Sequence, residues 1–214
     1  MDKLVIREVE ETDLPALKSL IVEAFGEGWN LKRFAHKEDF FQTLLDVYLS
    51  IFLEPSTCGR VAEVDGQVVG VMLASVKGET PAFRRFLKDI APNTLTLLSA
   101  TEAERMDIVA HMSVSFQTIG QLLGGRLDTY DGALELLVVS ERAQGLGIGK
   151  TLWREAVAYF GSKDVTSVYL IADSRCNVGF YEHSGLVQVA SEEAIYHYAA
   201  GQRRSDIYVY EYLF

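Results

Sequence analysis

The densest chemistry in the chain lies in one run, Gln144-Gly145-Leu146-Gly147-Ile148-Gly149-Lys150-Thr151. Three glycines at alternate positions let a backbone take positive φ and approach a ligand closely. An apolar stretch, Leu134-Glu135-Leu136-Leu137-Val138-Val139, precedes the run. An amphipathic stretch follows it, with Leu152, Ala156, Val157 and Phe160 at helical spacing. Strand, glycine turn and helix in that order aim backbone N–H groups and the helix's positive end at a phosphate or pyrophosphate. A plain turn packing a helix on a sheet is the ordinary use of one or two glycines. Three in this context favour the ligand.

Two nucleotide readings fail at named positions. A phosphate-binding P-loop requires glycine five places before Gly149, where Gln144 stands. A dinucleotide fingerprint requires Gly or Ala three places after Gly147, where Lys150 stands. What does fit is Gln/Arg-x-x-Gly-x-Gly/Ala, present as Gln144 to Gly149, and this resembles the acetyl-CoA pyrophosphate loop of the GNAT acyltransferase superfamily. Upstream, Leu137-Val138-Val139 is similar to the splayed strand whose main chain pairs with pantetheine in that family. Downstream, Asn177-Val-Gly-Phe-Tyr181 with Gly185-Leu186 is similar to its second block.

The resemblance implies acetyl-CoA as cofactor, held by Leu137, Val138, Val139, Gln144, Gly145, Leu146, Gly147, Ile148, Gly149, Lys150 and Asn177. It implies a main-chain N–H near Leu137 or Val139 that polarises the thioester carbonyl. By the same resemblance Tyr181 is the acid that protonates the CoA thiolate, although packing on the sheet is the ordinary role of any one of ten tyrosines. Asn177 bonds the pantetheine arm or caps its short helix. The chain departs from the pattern twice. Glu141 stands where the family often has proline, and residues 77–130 intervene where it usually has a short hairpin.

Acyl transfer to an amine needs a neutral amine, a stabilised carbonyl oxygen and a proton for the departing sulfur. Glu135 is a carboxylate inside an apolar strand, costly to bury unless paired, and is the candidate base. An exposed strand position is the plain alternative. His111 and His183 are further candidates, but isolated histidines more often pack or face solvent. Cys58 and Cys176 are too few for a disulfide framework, Cys176 reads as a small apolar filler, and no metal cluster is apparent.

Composition sets the frame. With 20 Lys+Arg against 30 Asp+Glu the net charge is −10, which disfavours nucleic acid and anionic lipid as partners. Hydrophobic residues make up 49% and charged residues 23%, the balance of a globular protein with a proper core. No run reaches the roughly 20 apolar residues of a membrane helix, and Met1-Asp2-Lys3 leads straight to Leu4-Val5-Ile6 without a signal-peptide stretch. The expectation is a cytoplasmic protein.

The elements follow in order. A short strand spans 3–10, and a helix with Thr12-Asp13 as N-cap and Pro15 in its first turn stops at Gly26. A loop with Trp29 leads to a helix over 31–53. Strands 60–64 and 67–74 flank Asp65-Gly66, a tight turn of the primed type. Residues 77–130, punctuated by Pro81, Pro92 and Gly124-Gly125, form a weakly helical insertion that would act as a lid over an acceptor cleft. After it come a strand over 133–139, a helix over 147–160, a strand over 165–172, a short helix over 177–183, and strands over 186–190 and 206–214. This predicts one α/β domain over 1–214 with a mixed, partly splayed central sheet flanked by helices. The function expected is an acetyl-CoA-dependent N-acetyltransferase acting directly on a small-molecule or peptide amine. Its rivals are a non-catalytic acyl-CoA sensor and a P-loop-like phosphotransferase. The resemblance also admits a homodimer through an edge strand.

Overall fold

The structure is a computed structural model and describes residues 4–88 and 94–214. The expected strand start at Lys3 and the break at Pro92 lie outside the described residues. Among the described residues seven strands form: β1 (Leu4–Glu8), β2 (Cys58–Val64), β3 (Gln67–Val76), β4 (Gly132–Val139), β5 (Ser167–Asp173), β6 (Val187–Tyr198) and β7 (Gly201–Leu213). Their hydrogen-bonded order is β1-β2-β3-β4-β5-β7-β6. The β4–β5 pair is parallel, whereas β1–β2, β2–β3, β5–β7 and β6–β7 are antiparallel. With α1 (Leu14–Phe25), α2 (Glu38–Leu53), α3 (Glu102–Leu123), α4 (Ile148–Gly161) and α5 (Val178–His183), the fold is the expected mixed α/β class. The chain divides into two compact units. The first runs to Leu98 and includes Leu134–Asp164; the second comprises Ser99–Ala133 and Val165–Phe214.

In the first unit β2 and β3 are joined through Asp65 and Gly66, at φ 50° and 78°, the positive pair a primed turn requires. Pro15 sits in the first turn of α1, which buries Leu17, Leu20 and Ile21. Asp13 stands at the N-cap position of α1, as expected, but its side chain does other work. Its carboxylate accepts two bonds from Arg7, at 2.7 and 2.8 Å, and one from the Glu10 N–H at 2.8 Å. Burial disfavours its charge, yet these bonds together hold its pKa below the ordinary value. The expected helix over 31–53 is two pieces: a 3₁₀ turn at Leu31–Phe34 and α2. The break falls at Lys37, whose φ of −116° and ψ of 82° are not helical, and Phe40 rather than Phe41 faces the core. Trp29 stacks on Phe25 at 4.3 Å between ring centroids and on Tyr48 at 4.9 Å. Helix α4 packs on β2 and β3 through Leu152, Ala156 and Phe160, all fully buried.

In the second unit β5 and β6 flank β7, and α3 packs along β6. Two expectations need correction here. The terminal strands are far longer than the sequence suggested, twelve and thirteen residues, paired from Val187↔Glu211 to Tyr198↔Gly201. The polar run Ser191-Glu192-Glu193, with Glu193 opposite Asp206, masked a continuous hairpin. The insertion is also not uniformly weak, because it contains one helix of 22 residues. Thr101 caps that helix: its side chain accepts from the Glu104 N–H, while Glu104 accepts from the Thr101 N–H at 2.7 Å.

Candidate active site

Strand β4 alternates cleanly. Leu134, Leu136 and Val138 are buried, so Glu135, Leu137 and Val139 share the opposite, part-exposed face. Pairing between β4 and β5 is confined to two register positions, Gly132↔Val168 and Ala133↔Tyr169. Glu135 does not stand alone: the Ser75 hydroxyl of β3 donates to its Oε1 at 2.5 Å. Burial pushes the Glu135 pKa up and the Ser75 bond opposes that rise. A carboxyl raised in this way is a stronger base than a free one.

Beyond β4 the Ser140 N–H donates to Val69 O at 2.8 Å, and a 3₁₀ turn follows at Glu141–Ala143. Glu23 of α1 holds that corner. Its Oε1 accepts from the Ser140 hydroxyl at 3.0 Å and from the Glu141 N–H. The Glu141 N–H, which proline would lack, is thus used as a tether. Gln144 is exposed, and Gly145 and Gly147 both take φ of 78°. A Cβ placed on either would meet nothing within 4 Å. Ile148, buried at 2%, anchors the start of α4, while Leu146, Gly147 and Lys150 are exposed. Among the described residues no backbone carbonyl accepts from the N–H groups of Gly145 to Lys150. Open space over left-handed glycines, with unclaimed amides at a helix start, is the donor set an anionic pyrophosphate requires. The residues fit the group.

One glycine of the site escaped sequence reading. At Gly70 of β3 a Cβ would come within 3.1 Å of Leu152 and 3.2 Å of the Val138 carbonyl. The glycine lets α4 lie close against β3 and β4. Ser75 and Glu23 were also missed, because each acts through a partner far away in sequence.

Asn177 and Tyr181 lie in the second unit. Asn177 takes the N-cap position of α5 without a side-chain capping bond, so capping does not explain it. Tyr181 packs edge-on against Phe180 at 5.6 Å and tilted against Tyr210 at 5.5 Å. Burial, followed by the charges of Cys176, Asp173 and Tyr210, raises its pKa well above that of an ordinary phenol. The hydroxyl keeps its proton throughout the neutral range. Burial likewise pushes the Cys176 thiol up to about 11, with its Sγ 3.8 Å from Asp173 Oδ1. His111, 4% exposed, stacks on Tyr196 and bonds the Tyr198 hydroxyl at 2.8 Å. Its pKa is pushed down to about 4, first by burial and then by Arg175. It is a neutral, packed histidine. His183 is exposed and bonded to the Gly179 carbonyl at 2.5 Å.

The fold is shared with solved acyltransferases. The ribosomal-protein-S18-alanine N-acetyltransferase from Escherichia coli superposes with a TM-score of 0.55 at 13% identity, covering 99% of this chain and 94% of that one. An N-acetyltransferase from Staphylococcus aureus Mu50 gives 0.55 at 11% identity, with 99% and 98% covered. The ribosomal-protein-alanine N-acetyltransferase from Brucella melitensis gives 0.52 at 15%, with 98% and 99% covered. No curated protein sequence matches the chain significantly. The class is that of an acetyltransferase fold. The sequence model of the acetyltransferase (GNAT) family matches residues 14–186, and the chain belongs to that family. It is therefore an acetyltransferase, from a family that generally uses acetyl-CoA and acts on amines of proteins or small molecules. No described helix is long and apolar enough to cross a membrane.

Proposed function

We propose that this chain transfers an acetyl group from acetyl-CoA directly to an amine within a ternary complex. The observation that carries the reading is the cradle at Gly145 and Gly147, with unclaimed amides at the start of α4. In this reading Gln144 to Lys150 hold the pyrophosphate, and Leu137, Val138 and Val139 offer main chain to pantetheine. Asn177, free of a capping role, bonds the same arm. Acetyl-CoA supplies the activated acetyl group as a thioester. Glu135 accepts the proton of the attacking amine, and Tyr181 donates one to the departing sulfur. The acceptor is a small-molecule or peptide amine. Because native-state ligands stabilise, CoA and acetyl-CoA should raise Tm, whereas ATP and NAD at equal concentration should change it little. A larger shift with ATP than with acetyl-CoA would overturn the assignment. An acceptor screen with thiol detection then separates turnover from binding alone.

The Glu135–Ser75 bond sets a pH test. Ser75→Ala removes the one interaction that lowers the Glu135 pKa, so the carboxyl should ionise only at higher pH. The acid limb of kcat/KM should move to higher pH, with activity above the limb retained. In Glu135→Gln that limb should vanish, and the deficit should shrink as an alkyl amine approaches its own pKa near about 10.4. A limb left in place by Ser75→Ala would assign the ionisation to another group.

A further inference from the structure

Helix α3 carries apolar residues on its solvent side as well as on its core side. The side it turns to β6 is polar over its first half, where Asp107 accepts from the Ala199 N–H at 2.6 Å, His111 bonds Tyr198, and Ser115 bonds Tyr196 at 3.2 Å, and apolar towards its end, where Leu122 and Leu123 join the core with Val114 and Ile119 against it. The side it turns to solvent carries Met106 at 62% exposure, Val109 at 58% and Phe116 at 54%. A surface helix ordinarily keeps its solvent side polar. Met106, Val109, Ser113, Phe116 and Gly120 are spaced three, four, three and four residues apart, the repeat of a helix seam that packs on another helix. From Ile108 to Gly125 no Asp, Glu, Lys or Arg interrupts it, in a chain of net charge −10.

We propose that this stripe is a self-association surface, on which α3 packs antiparallel against α3 of a second copy about a two-fold axis. The stripe is complementary to itself in that arrangement. Placing Phe116 opposite Ser113 of the second copy also places Val109 opposite Gly120. Phe116 and Val109 then each meet a small residue, and small residues let helices approach closely. A Cβ at Gly120 would meet nothing within 4 Å, so the notch for Val109 is open. Antiparallel packing sets the helix dipoles head to tail. It brings Glu102 at one helix start towards Arg126 just past the other helix end. Two acidic chains meet here without opposing like charges. The sheet margins suit self-association less well. Strand β1 has only five residues, and margin strand β6 carries exposed Glu192 and Glu193 beyond a bulge near Gln188.

One helix pair is a small interface, so dissociation in the range of about 1–100 μM is expected. Sedimentation of the full chain from about 1 to 200 μM should show monomer passing to dimer. Val109→Glu and Phe116→Glu should each weaken the dimer at least about tenfold, with Tm little changed at such exposed positions. Leu213→Glu, 65% exposed on β7, should leave it intact. A short bifunctional thiol reagent should join copies carrying Ser113→Cys, near the axis, but not copies carrying Glu102→Cys. The unsubstituted chain, with Cys58 buried, sets the background. A monomer at every concentration, or a dimer indifferent to Phe116→Glu, would overturn the proposal. Cross-linking at Glu102→Cys would overturn the antiparallel arrangement.

Discussion

Tyr181→Phe is expected to lower kcat by about 10²–10⁴-fold, the usual worth of a general acid. The substitution keeps the ring and its contacts with Phe180 and Tyr210, so α5 should stay in place. Only the hydroxyl is lost. Because burial raises the Tyr181 pKa above the phenol range, the group is a proton carrier at every neutral pH and the rate should show no tyrosine limb there. The KM for acetyl-CoA should be unchanged, since in the proposed mechanism the hydroxyl acts on the sulfur as it departs rather than on the bound ground state. An acyl donor with a thiophenol leaving group supplies a second readout. Its thiolate is stable without a proton, so the deficit should shrink. Full kcat in the Tyr181→Phe enzyme would make this a packing tyrosine.

Gly147→Ala should raise the KM for acetyl-CoA by about 10–100-fold, which corresponds to about 1.4–2.8 kcal/mol. At φ 78° an alanine costs about 1–2 kcal/mol of backbone strain. No protein atom lies within 4 Å of the new methyl, so the fold has no clash to relieve. The methyl instead occupies the space proposed for the pyrophosphate. Gly78→Ala is the matched control, because Gly78 has φ 82° and equally open surroundings outside the loop. It should cost similar stability and leave the KM alone. Equal KM values in the two variants would show that the loop does not grip the cofactor.

How much of this was legible in the sequence follows from where each signal resides. The loop's conformation was readable because its signal is local: glycines, strand and helix are contiguous, and the left-handed angles fall on two of the glycines named. The Asp65-Gly66 turn was readable for the same reason. Helix α3 was not, because periodicity assumes one apolar face, and here apolar residues fall on both sides while Asp107, His111 and Ser115 make hydrogen bonds on the inner one. The β6–β7 hairpin was undercounted because polar residues, Ser191 to Glu193 on one strand and Gln202 to Asp206 on the other, interrupt its apolar alternation. Ser75 and Glu23 were invisible, since each matters only through a residue 60 or 118 positions away. Asp13 was read as a cap because its type and position fit one. Its carboxylate is instead shared with Arg7, a partner on β1 that no capping rule anticipates.

The division of the chain into two units also separates its chromophores. Both tryptophans, Trp29 and Trp153, belong to the first unit, together with Tyr48 and Tyr159. The other eight of the ten tyrosines belong to the second, among them the stacked Tyr196 and Tyr198. Indole emission therefore reports on one unit, and tyrosine absorbance is dominated by the other. A single denaturation series read at both wavelengths becomes a direct measure of cooperativity. Superimposed curves mean the units unfold as one, and displaced curves give the order in which they come apart.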